Sequence, residues 1–208
     1  MSRTSFRYYL ITDRKKCAPR PLAEVVEKAC RNGIKAVQLR EKDLSGRALF
    51  EHAEKLREIT SRWDAQLFVN DRADIALAVG ADGVHCRETS ISPADIKELD
   101  SSLIIGTSVH SVESAVRAES CGADFLLFGP VFYTASKAKY GAPQGLDKLR
   151  HVSQIVSIPV YAVGGLTTGR APGCLKAGAY GVAGISSIMG AKDVSAKVQE
   201  WEQLLSTL

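Results

Sequence analysis

Short β-rich runs alternate with longer amphipathic segments eight times along the chain. Neighbouring parallel strands need a crossover connection, usually a helix, so this alternation predicts a parallel sheet covered by helices. Eight repeats predict closure of the sheet into an α/β fold of the (β/α)8, or TIM barrel, type. The predicted strands are 8–12, 36–40, 67–70, 83–86, 104–109, 125–129, 159–165 and 181–186. The predicted helices are Leu22–Asn32, Gly46–Ser61, Arg72–Val79, Ser92–Leu99, Ser111–Ser120, Leu146–Val156, Thr168–Ala177 and Ala191–Ser206.

A length of 208 residues suits one domain, and no Pro-rich, Ser-rich or single-charge linker interrupts the sequence. We therefore predict a single domain over residues 1–208. Glycine turns at VGADG (79–83), CGADF (121–125) and GAYG (178–181) are predicted to end helices in the left-handed conformation. An open, doubly wound sheet is the alternative, but the sequence has no G-x-G-x-x-G after the first strand.

The composition limits the partners that this chain can have. Lys and Arg total 27 against 23 Asp and Glu, without a basic run, which disfavours nucleic acid and suits a small anionic ligand. The apolar segments are too short for a signal peptide or a membrane span, so we expect a cytoplasmic protein without membrane contact. The five cysteines are widely spaced and odd in number, which indicates reduced thiols. A homo-oligomer is left open.

Two glycine-rich loops follow the last two predicted strands, at VGGLTTG (163–169) and GISSIMG (184–190). In a (β/α)8 barrel the loops after strands seven and eight commonly bind phosphate, through backbone N–H groups and helix N-termini. The two loops therefore predict a phosphate site. A tight turn would explain either glycine pair taken alone.

The stretch QLREK (38–42) places Gln38, Arg40 and Lys42 at alternate positions, so they are predicted to share one face of an extended segment. Arginine offers a planar fork for phosphate oxygens and lysine a mobile point charge. The alternative is an ion pair of Arg40 with Glu41 or Asp71.

The long segment 129–145 follows the sixth predicted strand and has the length of a loop that closes over a ligand. Within it, Thr134, Ser136 and Lys137 are candidates for holding a second anion, and Lys137 for neutralising charge on a leaving group. The alternative is a solvated loop.

Two anion sites indicate two phosphorylated substrates. If one of them loses diphosphate, a Mg²⁺ ion assists its departure. Asp71, at the end of the third predicted strand, is the natural oxygen ligand for that ion. The structural alternatives are an ion pair with Arg40 or a cap on the next helix.

Seven ordered stretches, which together span nearly the whole chain, are identified as those of a known family. They are QLREKD, NDRADIALAVGADGVH, GTSVHS, GADFLLFGPVFYTASK, PQGLDKL, IPVYAVGGL and GAYGVAGISSI. The chain resembles the thiamine-phosphate synthase family and its close relatives, the TenI-type thiazole tautomerases. The resemblance implies a (β/α)8 barrel that joins hydroxymethylpyrimidine diphosphate to thiazole phosphate, with Mg²⁺, to give thiamine phosphate and pyrophosphate.

The resemblance also implies roles for individual residues. Those expected to bind the pyrimidine diphosphate are Gln38, Leu39, Arg40, Glu41, Lys42, Asn70, Ser108 and Lys137. Those expected to bind the thiazole phosphate are Thr134, Ala135, Ser136, Gly165, Ile185 and Ser186. Lys137, Arg40 and Ser108 are expected to be catalytic, and Asp71 matches one metal ligand. The implied mechanism is dissociative and needs no side-chain base, so catalysis would rest on charge neutralisation and alignment.

Two motifs depart from the family pattern, one from that of the synthases and one from that of the tautomerases. The synthase pattern after the fourth strand ends in a second acidic metal ligand, whereas HCRETS (85–90) places Ser90 there, with Glu88 as a candidate replacement. The tautomerase pattern has a histidine where this chain has Pro130. The prediction is a synthase of the transferase type with a modified metal site.

Two alternatives remain. One is a thiazole tautomerase in which His110 or His85 acts as the acid and base. The other is a non-catalytic protein that binds thiamine intermediates.

Overall fold

The computed structural model describes residues 4–134 and 141–207. Strands and helices alternate along the described chain. In order they are β1 (Tyr8–Ile11), α1 (Arg14–Cys17), α2 (Leu22–Arg31), β2 (Ala36–Leu39), α3 (Gly46–Arg62), β3 (Gln66–Asn70), α4 (Ala73–Ala78), β4 (Gly83–Cys86), α5 (Pro93–Leu99), β5 (Ile104–Val109), α6 (Val112–Ser120), β6 (Phe125–Phe128), α7 (Gly145–Ile155), β7 (Val160–Val163), α8 (Ala171–Lys176), β8 (Gly181–Gly184), α9 (Ser186–Met189) and α10 (Val194–Ser206).

The strands follow one another in the order β1 to β8 in a closed barrel, and the registered pairs are parallel. The predicted (β/α)8 fold is therefore confirmed. Every residue of β1, β2, β4 and β6 is buried, as expected for strands covered by helices. The predicted helix-ending glycines Gly80, Gly122 and Gly178 all have positive φ.

The contacts divide the described chain into two compact units. The first unit comprises Tyr8–His85 and Gly184–Thr207, and the second comprises Cys86–Ala183 with the segment up to Arg7. The single domain over residues 1–208 stays a prediction.

In the first unit, α10 has one apolar face. Its buried residues Val194, Val198, Trp201 and Leu205 are three or four positions apart, the spacing of one helix face. Asp193 begins the helix by accepting hydrogen bonds from the backbone of residues 195 and 196. The ring centroids of Trp201 and of Tyr8 on β1 are 5.0 Å apart.

In the second unit, aromatic rings fill the core beside β6 and β7. Phe6 stacks on Tyr161 with centroids 5.0 Å apart, and Phe125 meets Tyr161 edge-on at 5.4 Å. The Tyr161 hydroxyl donates a hydrogen bond of 2.7 Å to the carbonyl of Phe6. This bond satisfies the only polar atom of a side chain that is otherwise apolar and fully buried.

The structure differs from the predicted elements mainly at helix starts. Helix α8 begins at Ala171, three residues later than predicted, with Pro172 in its first turn, where proline's missing N–H leaves no bond unmade. Helices α1 and α9 are four residues long, too short to give a periodic signal, and were not predicted.

Candidate active site

The residues from the end of β2 onward alternate between buried and accessible. Leu39 and Glu41 are buried, Arg40 is half-buried and Lys42 is exposed. Arg40 and Lys42 therefore lie on the accessible side, as the alternation predicts. Gln38, predicted to share that face, is buried as the third residue of β2.

Glu41 is bound by the segment after β1. Its carboxylate accepts a hydrogen bond of 2.8 Å from the Thr12 hydroxyl and one of 3.0 Å from the backbone N–H of Arg14. The Arg14 guanidinium lies 3.1 Å from the same carboxylate. These partners lie 27 and 29 positions away in sequence, and the predicted roles of this stretch did not include them.

Gln38 belongs to a buried polar chain. Its amide nitrogen donates to the Tyr9 hydroxyl at 3.2 Å, and that hydroxyl lies 3.4 Å from Nδ1 of His85. Burial lowers the pKa of His85 to about 3, while the charge of Asp71 raises it and that of Arg40 lowers it. At neutral pH the imidazole is therefore uncharged. Tyr9 carried no signal in the sequence beyond that of a core aromatic residue.

The end of β3 holds Asp71 in an unusual backbone conformation. Its φ is 60°, in the left-handed region that non-glycine residues seldom adopt and that recurs at functional sites. Its N–H donates to the carbonyl of His85 at 3.0 Å, and its carboxylate accepts from the Asn70 amide at 3.0 Å. The alternative role for Asp71, a cap on the next helix, is wrong, because the N-cap of α4 is Arg72, which makes no side-chain capping hydrogen bond.

The loop after β4 contains the two remaining candidate metal ligands, Glu88 and Ser90. The Glu88 carboxylate lies 3.2 Å from the Arg117 guanidinium, and the Ser90 hydroxyl accepts from the backbone N–H of Arg87 at 2.8 Å. Among residues 4–134 and 141–207, no three His, Cys, Asp or Glu side chains are grouped to hold a metal ion. Their metal roles stay predictions.

The loops after β6 and β7 are joined by backbone hydrogen bonds. Val131 donates to Val163 at 2.8 Å and Phe132 donates to Gly164 at 3.1 Å. A Cβ atom on Gly165 would lie 2.7 Å from the carbonyl oxygen of Tyr133, and Gly165 has positive φ. The neighbouring loop thus requires glycine at position 165, independently of any phosphate.

The other candidates of the second unit lie on β5 and in the segments that follow β5 and β6. Thr134 and Ser108 are half-buried, with Ser108 on β5. The ring of His110 bonds through Nδ1 to the carbonyl of Gly129. Ala135, Ser136 and Lys137 lie outside the described residues.

The end of β8 presents the predicted phosphate residues Ile185 and Ser186. Ser186 is exposed and begins α9, with Ile185 as its N-cap. The next residue, Ser187, accepts a hydrogen bond of 2.8 Å from the Trp201 indole on α10. Helix α10 therefore fixes the short helix that follows β8.

The fold and the polar residues after its strands define a (β/α)8-barrel protein with basic and hydroxyl side chains at the loops expected to bind ligands. A family profile described as "Thiamine monophosphate synthase" matches residues 8–188. The chain belongs to the thiamine monophosphate synthase family.

Named relatives agree with this assignment. A Geobacter sulfurreducens protein named "Putative thiamine-phosphate synthase" is 48% identical, over 93% of this chain and 91% of its own. A Pyrococcus furiosus "Thiamine-phosphate synthase" is 40% identical, over 98% and 96%. A solved structure of thiamine phosphate pyrophosphorylase from Pyrococcus furiosus has a TM-score of 0.89 and 40% identity, and covers 97% of this chain and 96% of its own. The predicted thiamine-phosphate synthase, a transferase, is thereby confirmed.

Helices long and apolar enough to cross a membrane are not found among the described residues. A cytoplasmic location and the lack of a nucleic-acid partner stay predictions. Whether the chain forms a homo-oligomer stays open.

Proposed function

We propose that this chain joins hydroxymethylpyrimidine diphosphate to thiazole phosphate, forming thiamine phosphate and releasing pyrophosphate. The observation that carries the proposal is the family match over residues 8–188. It is supported by the two cations, Arg40 and Lys42, that follow β2 on the accessible side.

The pyrimidine diphosphate is assigned to residues in the last part of β2, β3 and β5 or directly after β2, and to the loop after β6. They are Gln38, Arg40, Lys42, Asn70, Ser108 and Lys137, with Leu39 and Glu41 inside the same stretch. Arg40 and Lys42 would neutralise the diphosphate before and during its departure, when its negative charge grows. The thiazole phosphate is assigned to Thr134, Ala135, Ser136, Gly165, Ile185 and Ser186.

Mg²⁺ is the cofactor of the proposal, and Asp71 is the residue that would hold it. Mg²⁺ is commonly bound by one or two carboxylates together with substrate phosphates and water. The strained Asp71, with its carboxylate already oriented by Asn70, fits that pattern. When bound, the ion supplies positive charge that stabilises the departing pyrophosphate.

The proposed reaction needs no side-chain base. Loss of pyrophosphate leaves a cation at the pyrimidine methylene carbon, and the thiazole nitrogen then bonds to that carbon. The residues of the chain align the two reactants and stabilise charge. The tautomerase alternative is disfavoured because Pro130 cannot transfer a proton and because burial lowers the pKa of His85 to about 3, which leaves it His110 as acid and base.

The proposal is tested by measuring pyrophosphate release from the two substrates while Mg²⁺ is varied. We expect release that depends on both substrates and on Mg²⁺. Lys137→Ala should slow it by about a hundredfold, as the loss of a transition-state donor commonly does. Lys139→Ala, two positions away, is the matched control and should retain the wild-type rate.

The modified metal site gives a second readout. Ser90→Asp restores the acidic residue of the synthase pattern and should lower the Mg²⁺ concentration needed for half-maximal rate. An unchanged requirement would exclude this loop from the metal site. Absence of pyrophosphate release at every Mg²⁺ concentration, with thiazole phosphate still bound, would favour the non-catalytic alternative.

A further inference from the structure

Glu41 lies between the two cations proposed to bind the diphosphate, yet its own carboxylate is directed inward. The residue is only 5% exposed. A carboxylate has about four sites at which it accepts hydrogen bonds. Here Thr12 occupies one, the backbone N–H of Arg14 lies 3.0 and 3.2 Å from the two oxygens, and the Arg14 guanidinium lies 3.1 Å away.

This bonding leaves Glu41 poorly suited to contact a substrate. Its accepting sites are occupied by the protein, and its negative charge would repel a diphosphate. The Arg14 guanidinium offsets that charge from within the protein. Arg40 and Lys42 therefore need not neutralise Glu41.

Thr12 connects the buried carboxylate to the backbone of the cationic segment. Its hydroxyl donates to Glu41 and accepts from the backbone N–H of Arg40 at 2.9 Å. Its own N–H donates to the carbonyl of Gln38 at 2.9 Å. Thr12 has no exposed surface, so water does not compete for these bonds. Residues 38–41 are thus held at three points by one side chain and one backbone group.

Outside this buried group, the same segment carries an exposed ion-pair cluster. Asp43 binds Arg14 at 2.9 Å and Lys15 at 2.7 Å. The hydrogen bond from Arg14, which has the larger effect, and that from Lys15 lower the pKa of the Asp43 carboxyl below its usual range. Exposed ion pairs contribute little to stability, so the buried Glu41 bonds are the ones that fix the segment.

We propose that Glu41 and Thr12 are positioning residues for the diphosphate: they hold segment 40–42 so that Arg40 and Lys42 face the ligand. This inference rests on the proposed function. A preorganised segment avoids the cost of ordering two long cationic side chains when the ligand binds. We call the hydrogen-bonded group of Thr12, Arg14 and Glu41 the clamp. Its loss should weaken binding of the diphosphate and leave binding of the thiazole phosphate, assigned to other loops, unaffected.

The test compares Thr12→Val with Thr12→Ser in the full-length chain. Valine keeps the shape of threonine and removes the hydroxyl, whereas serine keeps the hydroxyl. We expect Thr12→Val to raise the KM for the pyrimidine diphosphate by about tenfold or more, the scale of a lost buried hydrogen bond to a charged group. The KM for thiazole phosphate should stay within about twofold, and Thr12→Ser should restore most of the loss.

Glu41→Gln is the second variant. The amide group lacks the negative charge that the Arg14 guanidinium binds. Its NH2 group is also a donor, so it cannot accept hydrogen bonds from Thr12 or Arg14 as a carboxylate oxygen does. The variant should produce the same selective rise in KM. Arg62→Gln, which removes a surface guanidinium bound to Glu27, is the control for loss of an ion pair and should leave both KM values unchanged.

Calorimetric titration with inorganic pyrophosphate and Mg²⁺ gives a readout that needs no turnover. We expect about tenfold weaker pyrophosphate binding for Thr12→Val and Glu41→Gln, the same scale as the KM effect. Equal losses for both substrates, unchanged pyrophosphate affinity in a folded variant, or failure of Thr12→Ser to restore it would each overturn the proposal. Thermal unfolding verifies folding, and Arg14→Gln, at the half-exposed end of the clamp, replaces any variant that does not fold.

The two proposals fail in different ways. If the wild-type protein releases no pyrophosphate but binds it more tightly than Thr12→Val, the proposed reaction is wrong and the clamp is supported. If the wild-type protein catalyses the reaction and the variants lose affinity for both substrates alike, the reaction is supported and the clamp is wrong. If the wild-type protein neither turns over nor binds pyrophosphate, both are wrong.

Discussion

The Tyr8 hydroxyl and Gly184 together allow a sharp test of the packing beside the end of β8. Tyr8 is 2% exposed, and its hydroxyl has no well-formed hydrogen bond to a residue within 4–134 or 141–207, although the nearby Ser187 side chain interacts with it weakly enough that burial dominates its pKa. Burial raises the pKa of Tyr8 above its usual range. A Cβ atom added to Gly184 would lie 2.3 Å from that hydroxyl oxygen and 3.2 Å from the ring carbon that carries it.

These distances give the expected energies. Gly184→Ala forces a methyl group against the hydroxyl and should lower the free energy of unfolding by about 2 kcal/mol, within the range for an overpacked core. Tyr8→Phe removes a buried polar atom without a well-formed hydrogen bond and should be neutral or stabilise the fold by about 1 kcal/mol. In the double variant the nearest atom is the ring carbon, so the methyl group should cost less than about 1 kcal/mol. The coupling between the two changes is then at least about 1 kcal/mol.

Urea unfolding followed by circular dichroism of the wild type, both single variants and the double variant measures that coupling. Tyr161→Phe is the matched control, because it removes a hydroxyl that does bond, to the carbonyl of Phe6. That control should destabilise by about 1 kcal/mol, the opposite sign to Tyr8→Phe. Single-variant effects that add to within about 0.5 kcal/mol in the double variant would refute the contact.

Two further predictions follow from burial. The folded-state pKa of His85 is about 3 against an ordinary 6.5, so only the unfolded chain takes up this proton as the pH falls through that interval. In EDTA, wild-type stability should therefore fall by about 2 kcal/mol more than that of His85→Asn between pH 8 and pH 5, and parallel pH profiles would contradict this. Among the cysteines, Cys121 is half-buried and the other four are buried, with burial raising the pKa of Cys30 to about 12 and of Cys174 to about 11. A chromogenic disulfide reagent at pH 8 should modify one thiol of the native protein quickly, and peptide mapping should identify it as Cys121. Rapid modification of several thiols would contradict the burial of the other four cysteines.

The strand and helix pattern could be predicted because it is repeated and local. Each buried parallel strand is a short apolar run, and each covering helix has its own apolar spacing, so errors in one unit do not spread to the next. The sequence pattern predicts starts for α8 and α10 that are three residues early, since helix ends depend on caps and on proline more than on periodicity. The four-residue helices α1 and α9 contain about one turn, which no periodic pattern can indicate.

The candidate residues were found by their types and by their places after strands, and that information is also local. It predicted correctly that Arg40 and Lys42 share an accessible side, alternating with the buried Leu39 and Glu41, but it placed the buried Gln38 on that side too. It could not distinguish a side chain that meets the ligand from one that holds the segment. Gly165 illustrates the same limit, because its glycine is required by the carbonyl of Tyr133 in a neighbouring loop.

The barrel, the family and the segments where ligands are expected follow from the sequence alone, because strand burial, helix periodicity and short motifs are properties of consecutive residues. What individual side chains do within those segments depends on contacts made in the folded chain. The tertiary structure turns Glu41 toward Thr12 and Arg14, places His85 beside Tyr9 in a setting that keeps it neutral, and pairs Glu88 with Arg117. Each of these contacts joins residues at least 27 positions apart, and hydrogen bonds and charges act through distance in space.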